Sequence, residues 1–112
     1  MINSKRKGKT GELELAKIFS KFLPKFERSQ QYKGATHSSD IQCTDDRINA
    51  ILYVECKRCQ NLKLDDWINK AKAEAAPIDY AVICHKKNHG RWMATLDLKD
   101  FLEMFVIFLG NK

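Results

Sequence analysis

The run Ala50-Ile51-Leu52-Tyr53-Val54, followed at once by Glu55-Cys56-Lys57, constrains this chain more than any other feature. A short continuous apolar run with β-branched and aromatic members is a buried strand, and Ala50 to Arg58 reads as the central strand of a sheet. Side chains alternate along a strand, so Glu55 and Lys57 project from one face while Val54 and Cys56 project from the other. An acid and a base are thereby held about 7 Å apart at the margin of a buried element. Asp40 stands 15 residues before Glu55, at the head of a second strand-like run, Asp40-Ile41-Gln42-Cys43. Two carboxylates and a lysine on neighbouring strands suffice to bind a divalent cation and activate a water beside it.

A chain of 112 residues is expected to form one domain over 1–112, with residues 1–7 as a basic N-terminal arm. The longest apolar stretch, Met104 to Leu109, falls far short of the roughly 20 residues that span a bilayer, so no membrane partner is expected. Met1-Ile2-Asn3-Ser4-Lys5-Arg6-Lys7 starts basic but has no apolar segment behind it, unlike a signal peptide, and a cytoplasmic location is expected. Charge is unevenly placed. Residues 1–37 hold nine Lys or Arg against three Glu, whereas residues 38–112 hold eleven basic and eleven acidic side chains. All of the net +6 therefore lies in the N-terminal third, just before Asp40. Concentrated positive charge releases counterions on meeting a phosphate backbone, which suits nucleic-acid binding; a solvated basic tail is the competing reading.

Cys43, Cys56, Cys59 and Cys84 read as reduced thiols in a cytoplasmic chain. Cys56-Lys57-Arg58-Cys59 has the form C-x-x-C, with His85 and His89 downstream, but no second cysteine pair exists and the spacing exceeds that of a zinc finger. Zinc is not expected.

Along the chain, a helix is predicted from about Lys7 to Leu23, stopped by Pro24, with Leu15, Ala16, Ile18, Phe19, Phe22 and Leu23 on its apolar stripe. Glu12 falls near the middle of that stripe. It is either an inward carboxylate that needs a cation or hydrogen bonds, or an exposed first-turn residue favoured by the helix dipole. Strands are predicted at Phe26–Gln31, Asp40–Thr44, Ala50–Arg58, Tyr80–Cys84 and Arg91–Leu96. Asp45, Asp46 and Asn49 mark a turn, and Lys86 to Gly90 a basic turn. A helix over Asp65–Ala76 places Trp67, Ile68, Ala71 and Ala75 inward, and Pro77 ends it. Asp97 caps a last helix running to about Leu109, with Gly110 at its end. The order α-β-β-β-α-β-β-α gives an α/β fold, a central mixed β-sheet flanked by helices, with the helix between two β-runs as a right-handed crossover.

Mg²⁺ takes oxygen ligands in octahedral geometry and usually only one or two carboxylates. Asp40 and Glu55 can be those two, with the Cys56 carbonyl as a third ligand and Lys57 orienting or deprotonating a bound water. Glu12 can hold a metal-bound water or a second ion. D-x₁₄-E-x-K alone is a weak pattern, and an ion pair between Glu55 and Lys57 at a strand edge explains the triplet as well.

The ordered segments are more specific. Arg6-Lys7-Gly8-Lys9-Thr10-Gly11-Glu12, Arg28-Ser29, Ser39-Asp40-Ile41, Val54-Glu55-Cys56-Lys57 and Trp67 to Ala75 occur in that order over roughly residues 5–96. In this the chain resembles the PD-(D/E)xK nuclease superfamily, most closely the archaeal-type Holliday junction resolvases and their phage-encoded relatives. The resemblance implies a restriction-endonuclease-like fold, Asp40 and Glu55 as metal ligands, Lys57 as the catalytic lysine and Glu12 as the auxiliary acid. It implies phosphate contacts or transition-state help from Lys5, Arg6, Lys7, Lys9, Arg28, Ser29 and Lys33. Mg²⁺ is the implied ion, with Mn²⁺ able to replace it. Ser39 stands where the motif has proline, and the family's loop serine is shared ambiguously between Ser29, Ser38 and Ser39.

The resulting expectation is a Mg²⁺-dependent endonuclease that resolves four-way DNA junctions as a homodimer, in the host cytoplasm if phage-encoded. The alternatives are a general repair or restriction-type nuclease and a catalytically silent DNA-binding module. The last helix is richer in apolar residues than a lone surface helix needs, which makes it a candidate dimer face alongside plain core burial.

Overall fold

A computed structural model describes residues 4–29, 39–78 and 80–111, the side chains of residues 4–7 excepted. Helix α1 spans Ser4–Phe19, strands β1 Phe26–Arg28 and β2 Ile41–Cys43 follow, and a short helix α2, Asp46–Asn49, precedes β3, Leu52–Arg58. Helix α3, Leu64–Ala75, leads to β4, Tyr80–Lys86, then β5, Met93–Thr95, and helix α4, Leu98–Gly110. The parallel pair β3–β4, joined through α3, and the antiparallel pair β4–β5 make a three-stranded mixed sheet. Strands β1 and β2 form an antiparallel ribbon, and the Asp40 amide, donating to the Val54 carbonyl at 2.8 Å, ties it to β3. This is the α/β, helix-flanked mixed sheet expected of a restriction-endonuclease-like fold.

The strand alternation has direct consequences for packing. Val54 joins Val82 and Cys84 of β4 on the face covered by α1, where Leu15, Ala16, Phe26, Ile41 and Cys43 complete one core. Tyr53 joins Ala81 and Ile83 on the opposite face, under Ala71 and Ala75 of α3. The alanines leave no bulk between helix and sheet, so α3 lies close. On the α1 side the close approach falls at Gly11. A Cβ there would lie 2.6 Å from Arg58 Cγ and 3.4 Å from Cys56 Sγ, whereas one at Gly8 would meet nothing within 4 Å.

Three local differences from the sequence reading have identifiable causes. Helix α1 ends at Phe19 rather than Leu23 because the Ser20 hydroxyl donates to the Ala16 carbonyl at 2.8 Å and accepts the Phe26 amide at 2.8 Å, turning the chain. Phe22, expected on the apolar stripe, is consequently 82% exposed. At its other end α1 begins at Ser4, so residues 4–7 continue the helix instead of forming an arm. The turn after β2 is the helix α2. Asp45 caps it by accepting the Arg47 amide at 2.9 Å, and Asn49 pairs with both backbone polar groups of Cys43, each at 2.8 Å. The expected caps of α4 are close to those found: Asp97 accepts the Lys99 amide at 2.9 Å, and Gly110 is the last helical residue.

Candidate active site at the junction of β2 and β3

The geometry is set by Asp40, which sits just ahead of β2 and is bound to β3 twice. Its amide donates to the Val54 carbonyl, and its Oδ2 accepts the Cys56 amide at 2.8 Å. Those two bonds place its carboxyl group level with Glu55. Burial first, then the charge of Glu55 and a hydrogen bond shared with it, push the Asp40 carboxyl up to about 6; the Cys56 amide and Lys57 pull the other way. Two carboxyl groups have been brought together in a partly dry place, where like charges repel.

Glu12 reaches the same neighbourhood from α1. Its side chain is only 16% exposed and accepts from Arg28 Nε at 2.5 Å. Burial raises its proton affinity and the charge of Asp40 adds to that, against the hydrogen bond from Arg28. Of the two readings open for Glu12, the exposed first-turn position is excluded, since α1 starts two turns earlier. The inward carboxylate with its own cation is what the fold contains.

Tyr53, Glu55 and Lys57 share the α3 face of β3. The buried Tyr53 hydroxyl lies 3.1 Å from Glu55 Oε1 and 3.0 Å from Glu74 Oε2. A phenol carries one proton, so it donates to one of the two carboxylates at a time while its oxygen stays within reach of both. Burial, more than either neighbouring charge, pushes the Tyr53 hydroxyl far above its usual range and keeps it protonated. The Lys57 ammonium lies 5.7 Å from the centre of the Trp67 ring, within cation–π range, and Trp67 in turn lies 6.3 Å from the His85 ring. His85 meets Thr95 Oγ1 at 2.8 Å.

Glu12, Asp40, Glu55 and Lys57 are therefore gathered within one region, with Arg28 at its edge. Ser29 lies beside them: its amide donates to the Asp40 carbonyl at 2.9 Å, and its buried hydroxyl has no hydrogen-bond partner among the described residues. Ser39 is used internally, donating to the Ile41 carbonyl at 2.6 Å. Ser38 and Lys33 lie outside the described residues. Lys9 is exposed on α1 one turn before Glu12, and Lys5, Arg6 and Lys7 belong to the same helix by backbone. The Cys56 thiol points toward Gly11 on the α1 side, where burial raises it to a thiol that holds its proton, so only its backbone faces Asp40.

Sequence reasoning missed the roles of Tyr53 and Trp67. Tyr53 was signalled by its i, i+2 relation to Glu55 on one strand face. Trp67 read as packing, and no local signal links it to Lys57. Glu74, 21 residues from Tyr53, had no signal at all.

Among the described residues no three His, Cys, Asp or Glu side chains form a complete cage for a metal ion. The donor chemistry still fits a hard divalent cation. It offers two oxygen ligands, Asp40 and Glu55, whose mutual repulsion a cation would relieve, and Mg²⁺ commonly takes no more than two carboxylates while keeping several waters.

A family model described as "Phage putative PDDEXK endonuclease" matches residues 3–108. The chain belongs to that family. It is thus a PD-(D/E)xK nuclease by descent; such nucleases act on DNA and generally use divalent metal ions. No curated protein and no solved structure matches the chain. No helix among the described residues is long and apolar enough to cross a membrane.

Proposed function

We propose that this nuclease is a Mg²⁺-dependent endonuclease that resolves four-way DNA junctions, acting as a homodimer in the cytoplasm of a phage host. The observation that carries the catalytic part is the Asp40–Glu55 carboxyl pair, set by the Cys56 amide and followed by Lys57 on the same strand face.

In this reading Asp40, Glu55 and the Cys56 carbonyl hold the ion, and Glu12 holds a bound water or a second ion. When bound, the ion supplies charge stabilisation for the scissile phosphate and lowers the pKa of an attacking water; Mn²⁺ has the same preference for oxygen donors. Lys57 orients that water through its ammonium, which lies over Trp67, and takes the water's proton only in its neutral amine form. Tyr53 supplies a hydrogen-bond donor to the Glu55 carboxylate. Arg28 pairs with Glu12 and contributes a contact to a phosphate oxygen, while the Ser29 hydroxyl, without a partner among the described residues, offers a donor beside Asp40. Lys5, Arg6, Lys7, Lys9 and Lys33 contribute contacts to the DNA backbone, which position the substrate without reading its sequence.

The choice of a junction is supported by the ordered resemblance to resolvases, and the homodimer by the need for two nicks in two strands. The deciding assay compares a synthetic four-way junction with linear duplex, with and without Mg²⁺. Symmetric paired nicks in the junction, with duplex largely intact, are expected. Equal cutting of both would instead make the protein a general repair or restriction-type nuclease on the same site. DNA binding with no cleavage under any metal would make it a silent binding module.

A further inference from the structure

The last helix is built unlike the rest of the molecule. Leu98, Phe101, Leu102, Phe105, Val106 and Ile107 are each close to half exposed or more, with Leu98 at 69% and Val106 at 67%. No other helix or strand among the described residues packs extensively against α4. Its start is held by the Lys72 ammonium, 3.2 Å from Asp97 and 3.9 Å from Asp100. Open apolar grooves flank it on both sides. One, of about 370 Å³, lies between α1 and α4 and is lined by Ile18, Phe19, Trp92, Phe101 and Met104 among others. The other, of about 630 Å³, is lined by Leu98, Leu102, Val106 and Ile107.

Leu98, Leu102, Phe105 and Leu109 repeat at spacings of four, three and four residues, the seam of a paired helix. At about 1.5 Å per residue, α4 is a rod of roughly 20 Å carrying two heptads, too few to hold a pair by the seam alone. Extra area from the flanking grooves is needed, and it is present. The exposed apolar side chains of α4 lie all round the helix, so the seam together with the flanking grooves is what must approach the ~800 Å² that each partner gives to a standard interface. A lipid surface fits poorly. Beyond Lys99 the helix has no basic side chain, its other charges being Asp100 and Glu103, whereas interfacial helices carry a basic polar face.

We infer that α4 is the self-association element: two copies of this chain pair α4 against α4 across a two-fold axis, with Leu98, Leu102, Phe105 and Leu109 as the shared seam and the flanking grooves covered reciprocally. A two-fold contact is self-complementary, so one apolar helix per copy completes it. The inference names the surface behind the homodimer proposed above, but the apolar helix stands whether or not the substrate is a junction.

The test is the mass of the full chain in solution over a dilution series, by sedimentation or light scattering. Wild type is expected at twice the 13.0 kDa chain mass at micromolar concentration. Leu102→Glu combined with Phe105→Glu is expected to raise the dimer dissociation constant at least about 100-fold, with helicity unchanged because both positions are exposed. Independently of any variant, hydrogen exchange of α4 in wild type should slow as protein concentration rises. Asp40→Asn serves as the control, expected to stay dimeric while losing cleavage. A wild type monomeric throughout the micromolar range, a dimer indifferent to the double substitution, or binding of α4 to anionic vesicles in place of self-association would each overturn the inference. A dimer that depends on α4 but cuts junctions no better than duplex leaves the inference standing and removes the junction reading alone.

Discussion

The β2–β3 junction and helix α4 are opposite kinds of excess. Around Asp40, polar groups are buried beyond what their protein partners satisfy: two carboxyl groups crowd together, and a serine hydroxyl lacks a partner among the described residues. Along α4, apolar groups are exposed beyond what the fold covers. Each costs the isolated chain stability, and each would be relieved by a different companion: a cation and phosphate at the first, an apolar protein surface at the second. Regions where a chain departs from its own stability optimum in this way are where binding is to be sought.

The sharpest way to break the comparison is to remove the chemistry while leaving the fold. Glu55→Gln or Lys57→Ala should lower the rate of DNA cleavage by at least about 10³-fold, more than 4 kcal/mol of transition-state stabilisation, with DNA binding retained in a mobility-shift assay. Full activity in either variant rules out the mechanism.

A smaller effect concerns stability without metal. The Asp40 carboxyl is raised to about 6 from an ordinary 3.8, so the folded state holds this proton more tightly than the unfolded state does. Its contribution is fully present below about pH 4 and is lost as the pH rises through 6. Asp40→Asn lacks that loss. In EDTA at pH 7.5, chemical denaturation should find it more stable than wild type by about 3 kcal/mol, a gain that fades toward pH 4. Mg²⁺ should then stabilise wild type and not the variant. Equal stability at both pH values would show that the carboxyl pair is not strained.

Replacing Arg6, Lys7 and Lys9 together by Gln should weaken DNA binding and reduce the slope of log K against log salt by about 2 to 3. An unchanged slope means that these charges are solvated only. Least of all, Trp67→Leu should cut kcat about tenfold with little change in KM, through loss of the ring beside Lys57, and Trp67→Phe should recover part of it. A loss confined to thermal stability would make Trp67 a packing residue.

Much of this was legible locally. The Glu55-Cys56-Lys57 face assignment needs only the period of a strand, and the caps of α4 and the inward residues of α3 need only helix geometry. Distant pairings were not: Glu12 with Arg28 and Tyr53 with Glu74 join residues far apart in sequence, which no local pattern encodes. Ser20 misled because a serine can continue a helix or, by bonding a carbonyl one turn back, end it; the nearby Phe26 amide decided between them.

By itself the sequence determined which residues alternate, which cap, and which chemical groups recur in the order of a PD-(D/E)xK nuclease, because these depend on short-range geometry. Only the tertiary structure decided that Asp40 would be pinned to the Cys56 amide and crowded against Glu55, that the Lys57 ammonium would lie over Trp67, and that α4 would stand largely uncovered. Burial and proximity belong to the packed chain as a whole, and they give the same side chains their charge state, their reach and their need for a partner.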